Sequence, residues 1–412
     1  MDTRVCVIGA GPAGLMAAIN SAGSKAETVV IEANATAGRK LLLTGGGRCN
    51  FTHIACIDEL VRAFGTKGRF LRHSLYRFPP EAVRQFFQRR GLKNTVEDDG
   101  CVFPVTDRVS DVRDILLAEL KKLGAHFVFS KKVESITKHK DHFVVHNTDE
   151  IIHAEKVIIA TGGISYPQTG STGDGYRFAQ HFGHTILEPR ASLVPLVTRE
   201  SWPGELAGIS LENVKISATI NKKRIIATGA MLFTHDGIGG PVVLELSRFA
   251  TDFLPNEKNP LKISIDLVVV FSEAELEKTI LKQMGEHPKK TVANILAEPV
   301  PRRVSQVLCR QFDVPDQLYV NQLNRDLRRK LLNLLKATPL LIVRTRPIEE
   351  AMVTRGGVNV TEIETKTMES KMCPGLFFAG EVIDVDGPCG GYNLQMCWST
   401  GSLAGSSASQ SK

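Results

Sequence analysis

The chain has no apolar run approaching the ~18–20 residues of a membrane-spanning helix, which argues against a helical anchor. Its eight cysteines, at positions 6, 49, 56, 101, 309, 373, 389 and 397, form no CxxC or CxxxC pair. That spacing offers neither a zinc site nor a disulfide framework, so no metal is expected and reduced thiols in a cytoplasmic protein are. The first residues already read as a strand, which leaves no room for a signal peptide. Internal repeats are absent, and the only biased tract is a Ser-rich end at 406–411. What remains is a soluble enzyme-like composition, and 412 residues are enough for two or three domains.

Charge is unevenly placed. The formal net charge is +7, yet residues 62–93 alone hold nine cations (Arg62, Lys67, Arg69, Arg72, Arg77, Arg84, Arg89, Arg90, Lys93) against one acid, Glu81. Phe64, Phe70, Tyr76, Phe78, Phe86 and Phe87 lie between them. Cations interleaved with aromatics suit an anionic partner such as RNA, and a merely solvated basic helix face is the competing reading.

The most informative segment is Val5-Cys6-Val7-Ile8-Gly9-Ala10-Gly11-Pro12-Ala13-Gly14-Leu15, a buried strand, a glycine turn and a helix start. Glu32 closes the next apolar run, Thr28–Ile31. In this context GxGxxG is a dinucleotide-binding fingerprint. The first Gly makes the tight turn, the second admits a pyrophosphate, and the third lets helix pack on strand; the acid accepts from ribose hydroxyls. No second GxGxxG is present, so a nicotinamide cofactor would bind only transiently or a partner would supply electrons.

Val157–Ile159 followed by Ala160-Thr161-Gly162-Gly163 predicts a second buried strand, preceded by paired strands at 131–136 and 142–146, and 109–123 keeps helical spacing. Beyond about residue 190, short segments at 193–198, 214–220, 224–228, 242–246 and 263–269 predict a small β-barrel or sandwich. From Ser272-Glu273-Ala274-Glu275, a capping signature, the period turns helical through 292–296, 304–312 and 323–335. A strand at 340–343 follows, and Gly375–Val382 predicts a late strand ending in Gly-acid, with a small-residue helix at 393–405. The expected fold is α/β: a three-layer Rossmann-like nucleotide-binding domain formed by 1–190 and 351–412. A β-barrel-like insertion (191–271 and 336–350) and a nested helical domain (272–335) complete it.

Further blocks make the resemblance specific. Gly38-Arg39-Lys40 with Thr44-Gly45-Gly46-Gly47-Arg48-Cys49-Asn50, Tyr166–Gly175, Leu232–Gly237 with Gly240-Pro241, Thr354–Val358 and Ala379–Gln395 occur in order along the chain. They resemble the YhiN/BaiN-like flavoprotein family. That resemblance implies non-covalent FAD held by Gly9, Ala10, Gly11, Pro12, Ala13, Gly14, Glu32, Ala33, Arg39, Lys40, Gly47, Arg48, Cys49, Asn50, Val133, Ala160, Thr161, Gly162, Gly380, Glu381, Gly391, Tyr392, Asn393 and Leu394. It also implies that the helix after Gly391 aims its positive end at the flavin N1–C2=O edge, where reduced flavin is anionic.

The activities implied are reduction of uridine to dihydrouridine in ribosomal RNA, oxidation of an aminoacetone-type amine, and reduction of steroid-like double bonds; a non-catalytic flavin-stabilised binding module is the remaining class. The basic segment favours RNA, with Arg84, Arg89, Arg90 and Arg355 as substrate contacts. Cys389 and His235 are candidate proton donors; a buried structural Cys and a structural turn are the competing readings. NAD(P)H is the expected reductant.

Overall fold

Strands buried on both faces read as continuous apolar runs, and parallel sheets need them. Val5–Ile8, Thr28–Ile31 and Val157–Ile159 are such runs. In the computed structural model, which describes residues 1–410 apart from Asn221 and Asp316, they lie side by side. Asp2–Ile8 pairs in parallel with Thr28–Glu32 on one side and Ile151–Ile159 on the other. Leu376–Phe378 adds in parallel to Ile151–Ile159. The register matches Ile8 with Ile31 and Ile159, and Ile159 with Phe378. Four strands therefore end in one row, and the segments after them share the carboxyl edge of the sheet, where open α/β sheets bind ligands. His126–Phe129 extends the sheet beyond Thr28–Glu32. On the other side, Val133–His139 and His142–Asn147 form an antiparallel meander leading into Ile151–Ile159.

The Pro12–Gly23 helix and the C-terminal Tyr392–Ser409 helix lie against each other. Their closeness depends on glycine. A Cβ on Gly401 would sit 2.3 Å from the Ala13 carbonyl oxygen, and one on Gly405 2.1 Å from that of Ala17. The small-residue texture of the last helix is thus a packing surface for the first.

The chain divides into two compact units, Met1–Ala191 with the residues from Ile348 onward, and Ser192–Pro347. The second contains a closed six-stranded antiparallel barrel. Its order is Leu196–Thr198, Gly237–Gly239, Lys223–Thr234, Ser210–Ile220, Leu261–Asp266 and Thr338–Thr345. The Glu273–Glu286, Val292–Leu296, Arg302–Gln311 and Arg325–Lys336 helices share one apolar core with it. Ser272 and Glu275 form the reciprocal cap expected at the first of them.

One expected strand is helical. Residues 242–246 belong to the Pro241–Phe253 helix. Pro241 opens it in the first turn, where a missing N–H costs nothing, and Val242, Val243, Leu246 and Ala250 bury one face at helical spacing. The β-branched pair Val242-Val243 masks that period. Among the described residues no helix is long and apolar enough to cross a membrane.

Candidate functional site

Three glycines perform three separable jobs at the end of the first strand. Gly9 has φ of +100°, and a Cβ there would lie 2.6 Å from the Ala160 carbonyl oxygen. A Cβ on Gly14 would lie 1.9 Å from the Gly9 carbonyl oxygen, so this glycine seats helix on strand. Around a Cβ on Gly11 there is nothing within 4 Å, so this face of the turn is open to a ligand. The Pro12–Gly23 helix that follows has no side-chain cap and no acid in its first turn. Its leading amides are available to an anion.

Glu32 stands beside this turn. One carboxylate oxygen accepts from the Ala10 amide at 2.8 Å, and the other from the Asn34 amide at 2.9 Å. Asn34 in turn accepts from Arg39 at 2.6 Å. Ala33 is exposed next to them. The Lys131 amide donates to the Glu32 carbonyl, which brings buried Val133 alongside.

Further along the same edge, residues from opposite ends of the sequence meet. Lys40 and Glu381 form an ion pair at 2.8 Å, with side chains only 21% and 13% exposed. Ser165 Oγ accepts from Lys40 at 2.6 Å and donates to Glu381 at 3.0 Å. The Thr354 amide donates to the same carboxylate at 2.8 Å. Lys40 and Glu381 therefore neutralise each other and tie the 38–50 loop to the late strand. Gly380 has φ of +76°, with its Cβ position 2.6 Å from the Ala13 side chain.

Asn50 and the Thr52 carbonyl crowd Gly391, whose φ of +89° and lack of Cβ permit the approach. Gly391 opens the Tyr392–Ser409 helix, again without a side-chain cap or a first-turn acid. Asn393 braces the preceding turn. It accepts from the Gly387 amide at 2.8 Å and donates to the Gly387 and Pro388 carbonyls at 3.0 and 3.1 Å. Half-buried Cys389 lies inside this turn. Leu394 is buried on the helix, and Cys49 is buried with φ of +66° and its thiol pushed up to about 12 by burial.

A residue the sequence reading overlooked completes this corner. The His53 ring stacks on Tyr392 with centroids 4.7 Å apart, and its Nδ1 lies 3.1 Å from the Gly390 carbonyl oxygen. Cys101 Sγ approaches the same glycine and donates to Asp99 at 3.2 Å. Burial, with Asp99 next in effect, pushes the Cys101 thiol up to about 12, so it stays protonated. Burial opposes charge on Asp99, but the Cys101 amide and thiol and nearby His53 hold it below the usual carboxylate range. His53 carried no motif. Its only signal was its place three residues after Asn50.

Other expected residues are engaged elsewhere. Arg48 pairs with Glu97 and Asp107, both at 2.7 Å, and covers the Phe103 ring at 4.1 Å, so it clamps loops together. Arg355 pairs with Asp386 at 2.9 Å and fixes the 384–387 segment. His235 belongs to the other unit, in the turn between Lys223–Thr234 and Gly237–Gly239, where Asp236 is held by Arg346 at 2.7 Å.

The basic segment also sorts differently. Phe64, Phe70 and Phe87 are buried core residues, and Phe78 and Phe86 pack against that core, leaving Tyr76 exposed. These aromatics were interleaved because helices alternate faces, not because they face a ligand. Arg90 is paired with Glu119 at 2.6 Å and stacked on Phe86 at 3.8 Å, and Arg84 holds Glu81 and Asn94. Of the four arginines expected at substrate, Arg89 is the exposed one, and it makes no ion pair among the described residues.

These features fit a dinucleotide with a flavin. There is one open glycine face over uncapped amides, a carboxylate at the ribose position, and a second uncapped helix start whose amides face a glycine turn. Three comparisons agree. The model of the HI0933-like protein Rossmann domain matches residues 3–407. The ribosomal RNA dihydrouridine synthase of Escherichia coli K12 is 32% identical over 397 residues, covering 96% of this chain and 95% of that protein. The 3-dehydro-bile acid delta(4,6)-reductase of Clostridium scindens is 30% identical over 410 residues, covering 99% of each. Among solved structures, the 3-ketosteroid delta1-dehydrogenase of Sterolibacterium denitrificans aligns over 99% of both chains with a TM-score of 0.57 and 12% identity, a likeness of fold. The chain belongs to the HI0933-like family of FAD-dependent Rossmann oxidoreductases.

Proposed function

We propose that this oxidoreductase reduces the C5=C6 bond of uridine in ribosomal RNA. The observation that carries the reading is a cationic helix face anchored to the site. Arg69 and Tyr76 are exposed on the Gly68–Arg77 helix at i and i+7, with Arg77 beside them and Arg72, also exposed at i+3, paired with Asp58 at 3.0 Å. Lys67, just ahead of that helix, is ion-paired with Asp384 in the segment leading to the glycine turn. Cations on phosphate and an aromatic on a splayed base are how single-stranded RNA is held. Two relatives bear this activity in their names, among them the Haemophilus influenzae protein at 31% identity over 400 residues.

Bound FAD, in its reduced form, would supply the hydride chemistry for one carbon of the double bond. The chain's own residues then have three tasks. Gly9–Gly14 and Glu32 hold the pyrophosphate and adenosine ribose. The Gly391 helix start stabilises negative charge at the far end. Cys389, in the braced turn, delivers the proton to the other carbon and is reprotonated from solvent. The electrons would be supplied by NAD(P)H bound transiently, or by a partner protein, since no second GxGxxG is present.

The test is anaerobic incubation of FAD-loaded protein with NADPH and ribosomal RNA from a deletion strain, followed by nucleoside mass spectrometry. Uridine gaining two hydrogens at a defined position supports the reading. Turnover of a 3-oxo-Δ4 steroid with no change in RNA favours a small-molecule reductase. Peroxide formed from an amine alone favours an oxidase.

A further inference from the structure

The sequence draws the eye to 62–93, but the charge of the folded protein is distributed otherwise. The barrel-containing unit, residues 192–347, holds 22 Lys and Arg against 16 Asp and Glu, a surplus of +6 out of the protein's +7. Part of that surplus lines an open groove of about 580 Å³ formed by Glu205, Arg302, Arg303, Gln306, Val307 and Arg310. Arg302, Arg303 and Arg310 are exposed, and the Arg302–Gln311 helix contains no acid. Only Glu205 opposes them, paired with Arg310 at 2.6 Å.

The placement of the first two of these arginines is unfavourable for the helix itself. Arg302 and Arg303 occupy the first turn, where the backbone dipole disfavours cations, and no side chain caps that end. Neither makes an ion pair among the described residues. The helix needs its apolar face for the core, since Val304, Val307, Leu308 and Cys309 are buried there. Nothing in the core requires arginine on the other side. Guanidinium groups in a shallow concave site, with an amide side chain between them, match phosphate oxygens. Their planar fork donates in pairs, and weak hydration lowers the cost of contact. The groove lacks an exposed aromatic for stacking bases, so it recognises backbone, not sequence.

We infer that this groove is a second RNA-binding surface, which grips the phosphate backbone of ribosomal RNA through Arg302, Arg303 and Arg310. The inference rests on RNA being the substrate. It assigns the barrel-containing unit a role in holding a large anionic substrate, separate from the residues that hold FAD.

The test uses the full-length FAD-loaded protein and deproteinised ribosomal RNA, with binding measured by filter retention across a KCl series. Two variants are compared with wild type: Arg302→Gln with Arg303→Gln, which leaves the Arg310–Glu205 pair intact, and Arg302→Glu with Arg303→Glu and Arg310→Glu. FAD content and melting temperature serve as controls for folding. Each phosphate contact contributes about 0.7–0.9 to the slope of log K against log salt. The glutamine pair should therefore flatten the slope by about 1.5 and the triple variant by 2 or more. Affinity at ~0.1 M KCl should fall at least about tenfold in the triple variant, with FAD content unchanged. If both variants keep the wild-type slope while wild type binds RNA, the groove is only a solvated face and the inference falls, leaving the substrate reading untouched. If wild type shows no salt-dependent binding to RNA but does bind vesicles of phosphatidylglycerol or polyglutamate, both fall.

Discussion

Gly11 and Gly14 are chemically identical and three residues apart, yet their replacement by alanine should fail in opposite ways. At Gly14 the new methyl would be placed 1.9 Å from the Gly9 carbonyl oxygen. Ordinary contact begins near ~3.4 Å, so helix and strand must part by about 1.5 Å in a closely packed core. Such overpacking costs about 3 kcal/mol or more. Gly14→Ala should therefore give low soluble yield and a lowered melting temperature even without cofactor. At Gly11 the backbone is extended, with φ of −78° and ψ of −178°, which alanine adopts freely. Beyond its immediate chain neighbours, nothing packs within 4 Å of the new carbon. The apoprotein should lose only the ~0.5–1 kcal/mol by which glycine exceeds alanine at a helix start. The methyl instead occupies the approach of the pyrophosphate. Losing two charge-assisted hydrogen bonds, at about 1.5–3 kcal/mol each, weakens FAD by roughly 10²–10⁴-fold. Titration of apoprotein with FAD, followed by flavin fluorescence quenching, reads the affinity, and thermal unfolding of the same samples reads the fold. Gly11→Ala that binds FAD within about threefold of wild type would refute the assignment of this turn to the pyrophosphate.

Other outcomes follow from the same geometry. Glu381→Gln leaves Lys40 without its partner in a mostly buried setting, and should lower unfolding stability by about 3 kcal/mol in denaturant titrations. Cys389→Ala should cut dihydrouridine formation by about 10²-fold or more while leaving flavin reduction by NADPH unchanged; an unaffected rate removes Cys389 as the proton donor. Burial lowers the pKa of His184, against the opposing pull of Glu362. The unfolded chain therefore binds an extra proton as pH falls through the ordinary histidine value, and stability should drop from about pH 6.5 downward. His184→Gln should flatten that part of the melting-temperature profile, and an unchanged profile would assign the acid sensitivity elsewhere. Arg69→Glu with Arg77→Glu should weaken RNA binding with FAD retained, whereas Arg90→Gln should instead lower stability, because Arg90 is tied to Glu119.

Much of this was legible because backbone demands leave marks on sequence. A Gly at φ of +100°, or one whose Cβ would strike a carbonyl, cannot be another residue, so the glycine turn and the late strand-Gly-acid segment stood out. Apolar runs buried on both faces marked the parallel strands. The Pro241–Phe253 helix was misread because Val-Val carries a strand preference that its neighbours override. Side-chain partnerships left no such marks. Nothing local shows that Arg90 meets Glu119, that Arg48 bridges Glu97 and Asp107, or that His53 reaches Gly390 across 337 positions. The cation count at 62–93 was correct, but counting could not separate charges spent on the fold from those left to solvent. It also passed over the groove arginines, because Arg302, Arg303 and Arg310 form a shorter run than the nine cations of 62–93.

The proposed reduction of uridine in ribosomal RNA is tested most directly by nucleoside-resolved mass spectrometry of ribosomal RNA from a strain lacking the gene, complemented with wild type or with Gly11→Ala. Loss of dihydrouridine at one position, restored by wild type and not by Gly11→Ala, is the result predicted. Ribosomal RNA with the same dihydrouridine content in all strains would contradict it.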